Sequence, residues 1–154
     1  MISRRNWLRA SIAAGASALL ARRADALAAP TPITVYKTPT CGCCKQWVKH
    51  LEANGFAVKV HDMDSLEEIK RSMGVPGELQ SCHTGIVNKY VVEGHVPADL
   101  IQKMLKEKPA IVGLAVPGMP SGSPGMEQGG PKDRYDVIAF ERGGKTHVYA
   151  RRGV

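Results

Sequence analysis

The stretch Thr40-Cys41-Gly42-Cys43-Cys44-Lys45 decides how the rest of the sequence is interpreted, because it holds three of the four cysteines. It lies between a strand-like apolar run at 33–36 and a run at 45–54 with the apolar spacing of a helix. The first amides of a helix lack partners within the helix, and the helix dipole is positive there. A thiol at Cys41 is therefore expected to ionise more easily than a free thiol, as a redox nucleophile or as a metal ligand.

The composition is that of one domain with appendages. The chain has 154 residues, of which 44% are hydrophobic, and a formal charge of +7. Residues 1–28 hold five arginines and one acid, so they account for +4 of this charge and leave +3 for the remainder. No basic stripe interleaved with aromatic residues remains, which argues against nucleic-acid binding.

Residues 1–28 have the pattern of a signal peptide. Ser3-Arg4-Arg5-Asn6-Trp7-Leu8-Arg9 resembles the twin-arginine export motif, and Ala26-Leu27-Ala28 is a small-x-small cleavage site. The apolar run between them is too short to span a bilayer. We expect cleavage after 28, a single domain at 29–154 in the periplasm of a bacterium, and no membrane attachment afterwards. The alternative is an uncleaved basic N-terminus.

The mature sequence alternates strand and helix patterns. Phe56, Val58 and Val60 predict a second strand with one buried face. A second helix, a strand pair turning at Asn88-Lys89 and a third helix are predicted at 64–73, 84–93 and 97–105. This βαβ-α-ββα order is that of a minimal thioredoxin-like fold, whose active site also has Cys-x-x-Cys opening a helix.

The C-terminal part differs in composition. Gly and Pro are so frequent at 109–134 that we predict a loop without a regular element. Two apolar runs joined across Gly143-Gly144 predict a terminal hairpin at 135–150. The predicted class is α/β, thioredoxin-like, with a mixed central sheet, flanking helices, a Gly/Pro/Met loop and a C-terminal β-hairpin.

The cysteines of the turn have two chemical interpretations. The spacing of Cys41 and Cys44 suits a disulfide or two thiolates on one metal. A stapling framework is excluded, because three cysteines within four residues cannot tie distant segments together. Cys43 would disturb a dithiol exchange but would add a sulfur to a metal site. The alternative for Cys43 is a small buried apolar residue.

Further candidate ligands lie later in the chain. Cys82 precedes the third strand, in the loop that faces the Cys-x-x-Cys turn in thioredoxin-like folds, so we expect its sulfur in the site. His83 is either a ligand or directed to the other face of the strand. Met119 and Met126 carry thioethers, which bind Cu(I) better than hard cations, although both could fill a core instead. His95 could bind a metal or satisfy backbone groups.

The sequence resembles a family of small exported thioredoxin-like proteins, labelled as a domain of unknown function and called CopG-like metal-binding proteins where they accompany bacterial copper-resistance genes. The resemblance covers 33–150. It rests on Val35-Tyr36-Lys37 before the cysteine turn and on three further motifs, Ser81-Cys82-His83-Thr84, Glu93-Gly94-His95-Val96-Pro97 and Gly113-Leu114-Ala115-Val116-Pro117-Gly118-Met119-Pro120. It implies periplasmic copper handling, with Cu(I) held by the cysteines and room for a redox role.

We therefore predict a periplasmic Cu(I)-binding protein of copper tolerance and homeostasis that holds one or more copper ions. Its partners would be metal ions and other periplasmic copper-resistance proteins. The predicted ligands are Cys41, Cys43, Cys44, Cys82, His83, Met119 and Met126. One alternative is a thiol–disulfide oxidoreductase with Cys41 as attacking and Cys44 as resolving thiol, or a hybrid that reduces Cu(II) and keeps the Cu(I). Another is a zinc site of the Cys₃His kind.

Overall fold

The first strand, β1 (Thr31–Lys37), forms at the apolar run before the cysteine turn and buries Ile33 and Val35. The structure is a computed structural model, and it describes residues 29–127 and 129–153. The predicted signal peptide at 1–28 lies outside the described residues. Within them, no helix is long and apolar enough to cross a membrane.

The remaining elements follow in the predicted order, with a 3₁₀ turn and a strand, Gly113–Ala115, in addition. They are α1 (Gly42–Ala53), β2 (Phe56–Asp62), α2 (Glu67–Ser72), a 3₁₀ turn (Gly77–Leu79), β3 (His83–Val87), β4 (Tyr90–Glu93), α3 (Ala98–Glu107), β5 (Gly113–Ala115), β6 (Tyr135–Phe140) and β7 (Thr146–Arg152). The strands form one mixed sheet in the order β2-β1-β3-β4-β5-β6-β7. The pairs β1–β2 and β4–β5 are parallel and the other pairs are antiparallel. The α/β, thioredoxin-like class is confirmed, including the terminal hairpin.

The core lies between the sheet and helices α1 and α3. Trp47 and Leu51, one turn apart on α1, are fully buried, and so are Ile101 and Met104 on α3. The Trp47 Nε1–H donates to the carbonyl of Val96 at 2.9 Å, which satisfies its polar atom inside the core. This bond also ties α1 to the segment that precedes α3.

Strand β5 lies inside the segment predicted to be a loop, so that prediction is wrong for Gly113–Ala115. The strand pairs with β4 on one side and with β6 on the other. A side chain at Gly113 would collide with the carbonyl of Val91, so glycine is required by the close approach of two strands. Glycine usually weakens a strand, but here it allows β5 to pair with β4.

Strand β2 is less buried than its alternation predicts. Phe56 is buried, Val58 is half-buried, and Val60 is 38% exposed. The reason is position, because β2 is an edge strand of the sheet and, within the described part of the chain, has a neighbouring strand, β1, on one side alone.

Candidate metal centre

The cysteine turn positions its sulfurs at the N-terminus of α1. Cys41 is the N-cap residue, and its sulfur accepts a hydrogen bond from the backbone N–H of Cys44 at 3.3 Å. The two residues form a disulfide with Cα atoms 5.4 Å apart. Cys41 is half-buried and Cys44 is fully buried, so the disulfide presents Cys41 to the surface.

The other two cysteines are free thiols, and they meet next to this disulfide. The sulfur of Cys43 lies 3.5 Å from that of Cys41 and 3.9 Å from that of Cys82. All four sulfurs lie within 4.8 Å of one another. Two segments 38 residues apart in sequence, at Cys44 and Cys82, therefore contribute to one sulfur cluster.

Sheet topology explains why Cys82 reaches the turn. Strand β3 runs antiparallel to β1 with His83 opposite Lys37, so the residue before β3 lies beside the end of β1. The cysteine turn begins at that same end. No peptide bond among the described residues is cis. The segment before β3 is held by the backbone N–H of Ser81, which donates to the Glu93 carboxylate at 2.7 Å.

Two histidines face the sulfur of Cys82. His83 Nδ1 lies 3.3 Å from it and His95 Nε2 lies 3.2 Å from it. The opposite ring nitrogens donate to backbone carbonyls, His83 Nε2–H to Gly94 at 2.9 Å and His95 Nδ1–H to Pro124 at 2.7 Å. Because a carbonyl only accepts, the nitrogens that face Cys82 carry lone pairs in the neutral rings. Both rings are thus oriented as ligands or as acceptors of the Cys82 thiol hydrogen.

Burial favours the uncharged form of all three side chains. It lowers the pKa of His83 well below the usual 6.5, and the neighbouring His95 adds to this effect. Burial also lowers the pKa of His95, against a smaller opposite contribution from its bond to Pro124. For Cys82, burial and then the nearby Cys43 raise the pKa to about 12. A cation bound here would have to displace the thiol proton of Cys82, after which its charge would stabilise the thiolate.

A buried ion pair lies behind the Cys82 segment. Lys70 contacts the Glu93 carboxylate at 2.5 Å and Thr84 Oγ1 at 3.0 Å, and Thr84 donates to the second Glu93 oxygen at 2.7 Å. Both Thr84 and Glu93 are fully buried. Burial raises the pKa of Glu93, while Lys70 acts in the opposite direction. Since Glu93 also holds Ser81, the pair fixes the backbone next to Cys82.

The Gly/Pro-rich loop covers one side of the cluster through its main chain. Ser81 Oγ donates to the carbonyl of Gly118 at 3.0 Å. A Cβ atom at Gly125 would lie 2.8 Å from the backbone nitrogen of Trp47 and 2.9 Å from the carbonyl oxygen of Cys43. The loop therefore packs directly on the cysteine turn. Met119 is 53% exposed and Met126 is half-buried. Their role as ligands stays a prediction.

His95 is the residue whose place in the site the sequence left open. The predicted hairpin turns at Asn88-Lys89, and β3 and β4 pair with Val87 opposite Tyr90 and Thr84 opposite Glu93. Continuing this register places Cys82 opposite His95. The signal was therefore present in the hairpin prediction, although composition and spacing alone do not single out this histidine.

The donors form two sets that share Cys82. One is Cys41, Cys43, Cys44 and Cys82, which we call the sulfur cluster, and the other is Cys82, His83 and His95. We call the first three cysteines the turn side and the second set the strand side. Thiolates are soft donors that suit Cu(I) and Zn(II), and imidazole suits copper and zinc. A shared thiolate can bridge two ions.

Comparisons with known proteins identify similar family models and similar solved structures. The glutaredoxin family model matches residues 33–76, and the model described as "Protein of unknown function, DUF411" matches 79–126. Two solved structures described as copper resistance protein CopG, in forms 2 and 1, are similar at 50% and 49% identity. The matches cover 80% and 81% of this chain and 98% and 99% of those chains, each with a TM-score of 0.76. No curated protein matches significantly.

Proposed function

The chain belongs to the family of the CopG copper resistance proteins, and we propose that it is a periplasmic Cu(I)-binding protein that acts in copper tolerance. The 50% identity to a copper resistance protein over 80% of the chain supports the copper assignment. The twin-arginine pattern at 1–28 supports export to the periplasm. Its partners there would be copper ions and other copper-resistance proteins.

One observation carries the proposal: four cysteine sulfurs from two distant segments lie within 4.8 Å of one another. Clustered thiolates select soft, monovalent copper over hard cations. His83 and His95 extend the donor set beyond the sulfurs, and Met119 and Met126 are proposed as outer thioether donors. Because four thiolates and two imidazoles exceed the needs of one Cu(I), the site is proposed to hold more than one ion.

Copper binding by all four sulfurs requires a reduced turn. The thiolate is the metal-binding form of cysteine, and the sulfurs of Cys41 and Cys44 are joined in a disulfide. Two electrons are therefore needed to open the complete site. We propose that the reduced form is the copper-binding form.

The test is an anaerobic titration of the reduced protein with Cu(I) against a coloured Cu(I) chelator. We expect tight binding that falls at least about 100-fold in Cys82→Ser, since loss of the shared thiolate removes a ligand from both donor sets. His95→Gln should weaken binding by about 10-fold, and the matched control His147→Gln, on the exposed strand β7, should not. Weak binding that Cys82→Ser leaves unchanged would overturn the proposal. Tighter binding of Zn(II) than of Cu(I) would favour a zinc site instead.

A second candidate function is thiol–disulfide exchange. It is favoured by the disulfide at the start of α1, with Cys41 half-buried and Cys44 fully buried, because such a pair has one accessible and one protected sulfur. The distinguishing assay is reduction of a protein disulfide by the metal-free dithiol form. Turnover that persists in Cys82→Ser and Met119→Leu would favour this function.

A further inference from the structure

Cys43 lies between a disulfide and a free thiol. Its sulfur is 3.5 Å from the Cys41 sulfur of the Cys41–Cys44 disulfide and 3.9 Å from the Cys82 thiol sulfur. Reacting atoms in well-oriented intramolecular reactions lie about 3–3.5 Å apart. We propose that these residues form an internal disulfide relay, in which Cys43 moves the disulfide from Cys41–Cys44 to Cys43–Cys82. This activity goes beyond copper binding, because it needs no metal.

In the first step the Cys43 thiol loses its proton to water and its sulfur attacks Cys41. A Cys41–Cys43 bond forms, the Cys41–Cys44 bond breaks, and Cys44 leaves with the electron pair and takes up a proton. The geometry favours attack on Cys41, because its sulfur lies 3.5 Å from the Cys43 sulfur. Attack on Cys44 would instead join neighbouring residues in a small strained ring.

In the second step the Cys82 sulfur attacks Cys43. A Cys43–Cys82 bond forms, the Cys41–Cys43 bond breaks, and Cys41 leaves with the electron pair. The Cys82 thiol loses its proton to water as its sulfur attacks, and the Cys41 sulfur takes up a proton after it leaves. The leaving Cys41 thiolate accepts a hydrogen bond from the backbone N–H of Cys44 and faces the positive end of α1. A stabilised thiolate is a good leaving group in disulfide exchange.

The exchange is balanced within the chain. One disulfide and two thiols are present before it and after it, so no external oxidant, reductant or net proton is consumed. What changes is the pair of sulfurs that is free. Cys43 and Cys82 are free in one state, and Cys41 and Cys44 are free in the other. The position of the disulfide therefore decides which side of the site offers thiols.

The sequence allows the two states to be separated by peptide mapping. Trypsin cleavage after Lys37, Lys45, Arg71 and Lys89 places the turn cysteines on peptide 38–45 and Cys82 on peptide 72–89. A disulfide within the turn leaves peptide 38–45 bridged to itself. A Cys43–Cys82 disulfide joins the two peptides into one species of higher mass.

In the experiment, one equivalent of oxidised glutathione is added to reduced protein in the presence of a metal chelator. Samples are taken at successive times, and acid stops thiol exchange in each of them. We expect the self-bridged peptide to appear first and the joined peptides to rise at its expense. While the joined peptides rise, the number of free thiols should stay constant, and the rate of this phase should not depend on protein concentration. If the joined peptides rise together with a further loss of free thiols, while the self-bridged peptide does not decline, a second oxidation forms the bond and the relay is overturned.

Variants separate the relay from direct attack by Cys82. In Cys43→Ser we expect complete loss of the joined peptides while the self-bridged peptide persists. Joined peptides in Cys43→Ser would overturn the role of Cys43. In Cys44→Ser the competing disulfide is removed, so the joined peptides should dominate. Their absence from both the unmodified protein and Cys44→Ser would overturn the proposal, whatever the copper affinity.

Discussion

The turn side and the strand side of the site meet at the Cys82 sulfur, but they differ in burial and in local electrostatics. The turn side lies at a helix N-terminus, with Cys41 and Cys43 half-buried and the Cys44 amide directed at sulfur. On the strand side His83 and His95 are fully buried, and Cys82 has a pKa raised to about 12. The turn side therefore favours a reactive thiolate, whereas the strand side favours neutral donors held in fixed positions.

The largest expected difference between the two sides is in thiol reactivity. A pKa of about 12 in place of 9.0 leaves about 1,000-fold less thiolate at neutral pH. In the reduced, metal-free protein we expect Cys82 to be alkylated by iodoacetamide about 1,000-fold more slowly than an ordinary thiol, and Cys41 to be alkylated readily. Mass spectrometry of peptides 38–45 and 72–89 measures both rates. The rates should converge in concentrated urea, and equal rates in the folded protein would contradict the comparison.

The next largest effect tests what holds the strand side in place. Glu93→Gln would leave Lys70 buried with an unpaired charge, which is expected to lower the free energy of unfolding by about 3–5 kcal/mol. Urea unfolding of the metal-free protein measures it. The matched control is Asp136→Asn, which breaks an exposed pair with Arg151 and should cost less than about 1 kcal/mol.

A double variant completes that test. If the unpaired charge is the cause, Lys70→Met combined with Glu93→Gln should recover part of the stability lost in Glu93→Gln alone. Equal losses in Glu93→Gln and Asp136→Asn would show that the buried pair does not stabilise the strand side.

The smallest effect is a dependence of stability on pH. The pKa values of His83 and His95 are lowered from 6.5 in the folded protein, so the unfolded chain binds these protons at higher pH. The free energy of unfolding of metal-free protein should therefore fall as the pH drops below 6.5, by up to about 1.4 kcal/mol per pH unit for each histidine. The fall should continue until the folded pKa is reached.

Glu93 acts in the opposite direction, because its pKa is raised in the folded protein and its contribution is lost as the pH rises. His95→Gln should make the slope below pH 6.5 shallower, and the exposed His147→Gln should leave it unchanged. Urea unfolding at several pH values provides the comparison. Identical slopes in all three proteins would mean that the strand-side histidines are not held neutral by the fold.

Local signals predict the fold where the apolar spacing is regular. Ile33 and Val35 alternate along β1, and Trp47 and Leu51 recur at helix spacing on α1, so one strand and one helix can be derived without knowledge of their neighbours. Strand β5 could not be derived in this way. Its three residues have no strand pattern of their own, and they become a strand because β4 and β6 supply backbone partners.

The site divides in the same manner. The position of Cys82 follows from the predicted topology, and that of His95 follows once the hairpin register is continued. The orientation of the two rings does not follow from either, because it depends on the Gly94 and Pro124 carbonyls. Pro124 is 29 residues from His95 and lies in an irregular loop, so no spacing rule connects them. The hydrogen bonds of Glu93 likewise depend on contacts across the sheet.

The three residues of β5 connect the C-terminal hairpin to the strands that carry the site. A chain that ended after residue 108 would leave β4 as the outermost strand, although all four of its side chains are buried. Its unpaired amides and carbonyls would then face water and could pair with strands of other molecules. By pairing with β4, the C-terminal third of the chain covers an edge that could otherwise aggregate, and a truncated protein that lacks it would expose that edge.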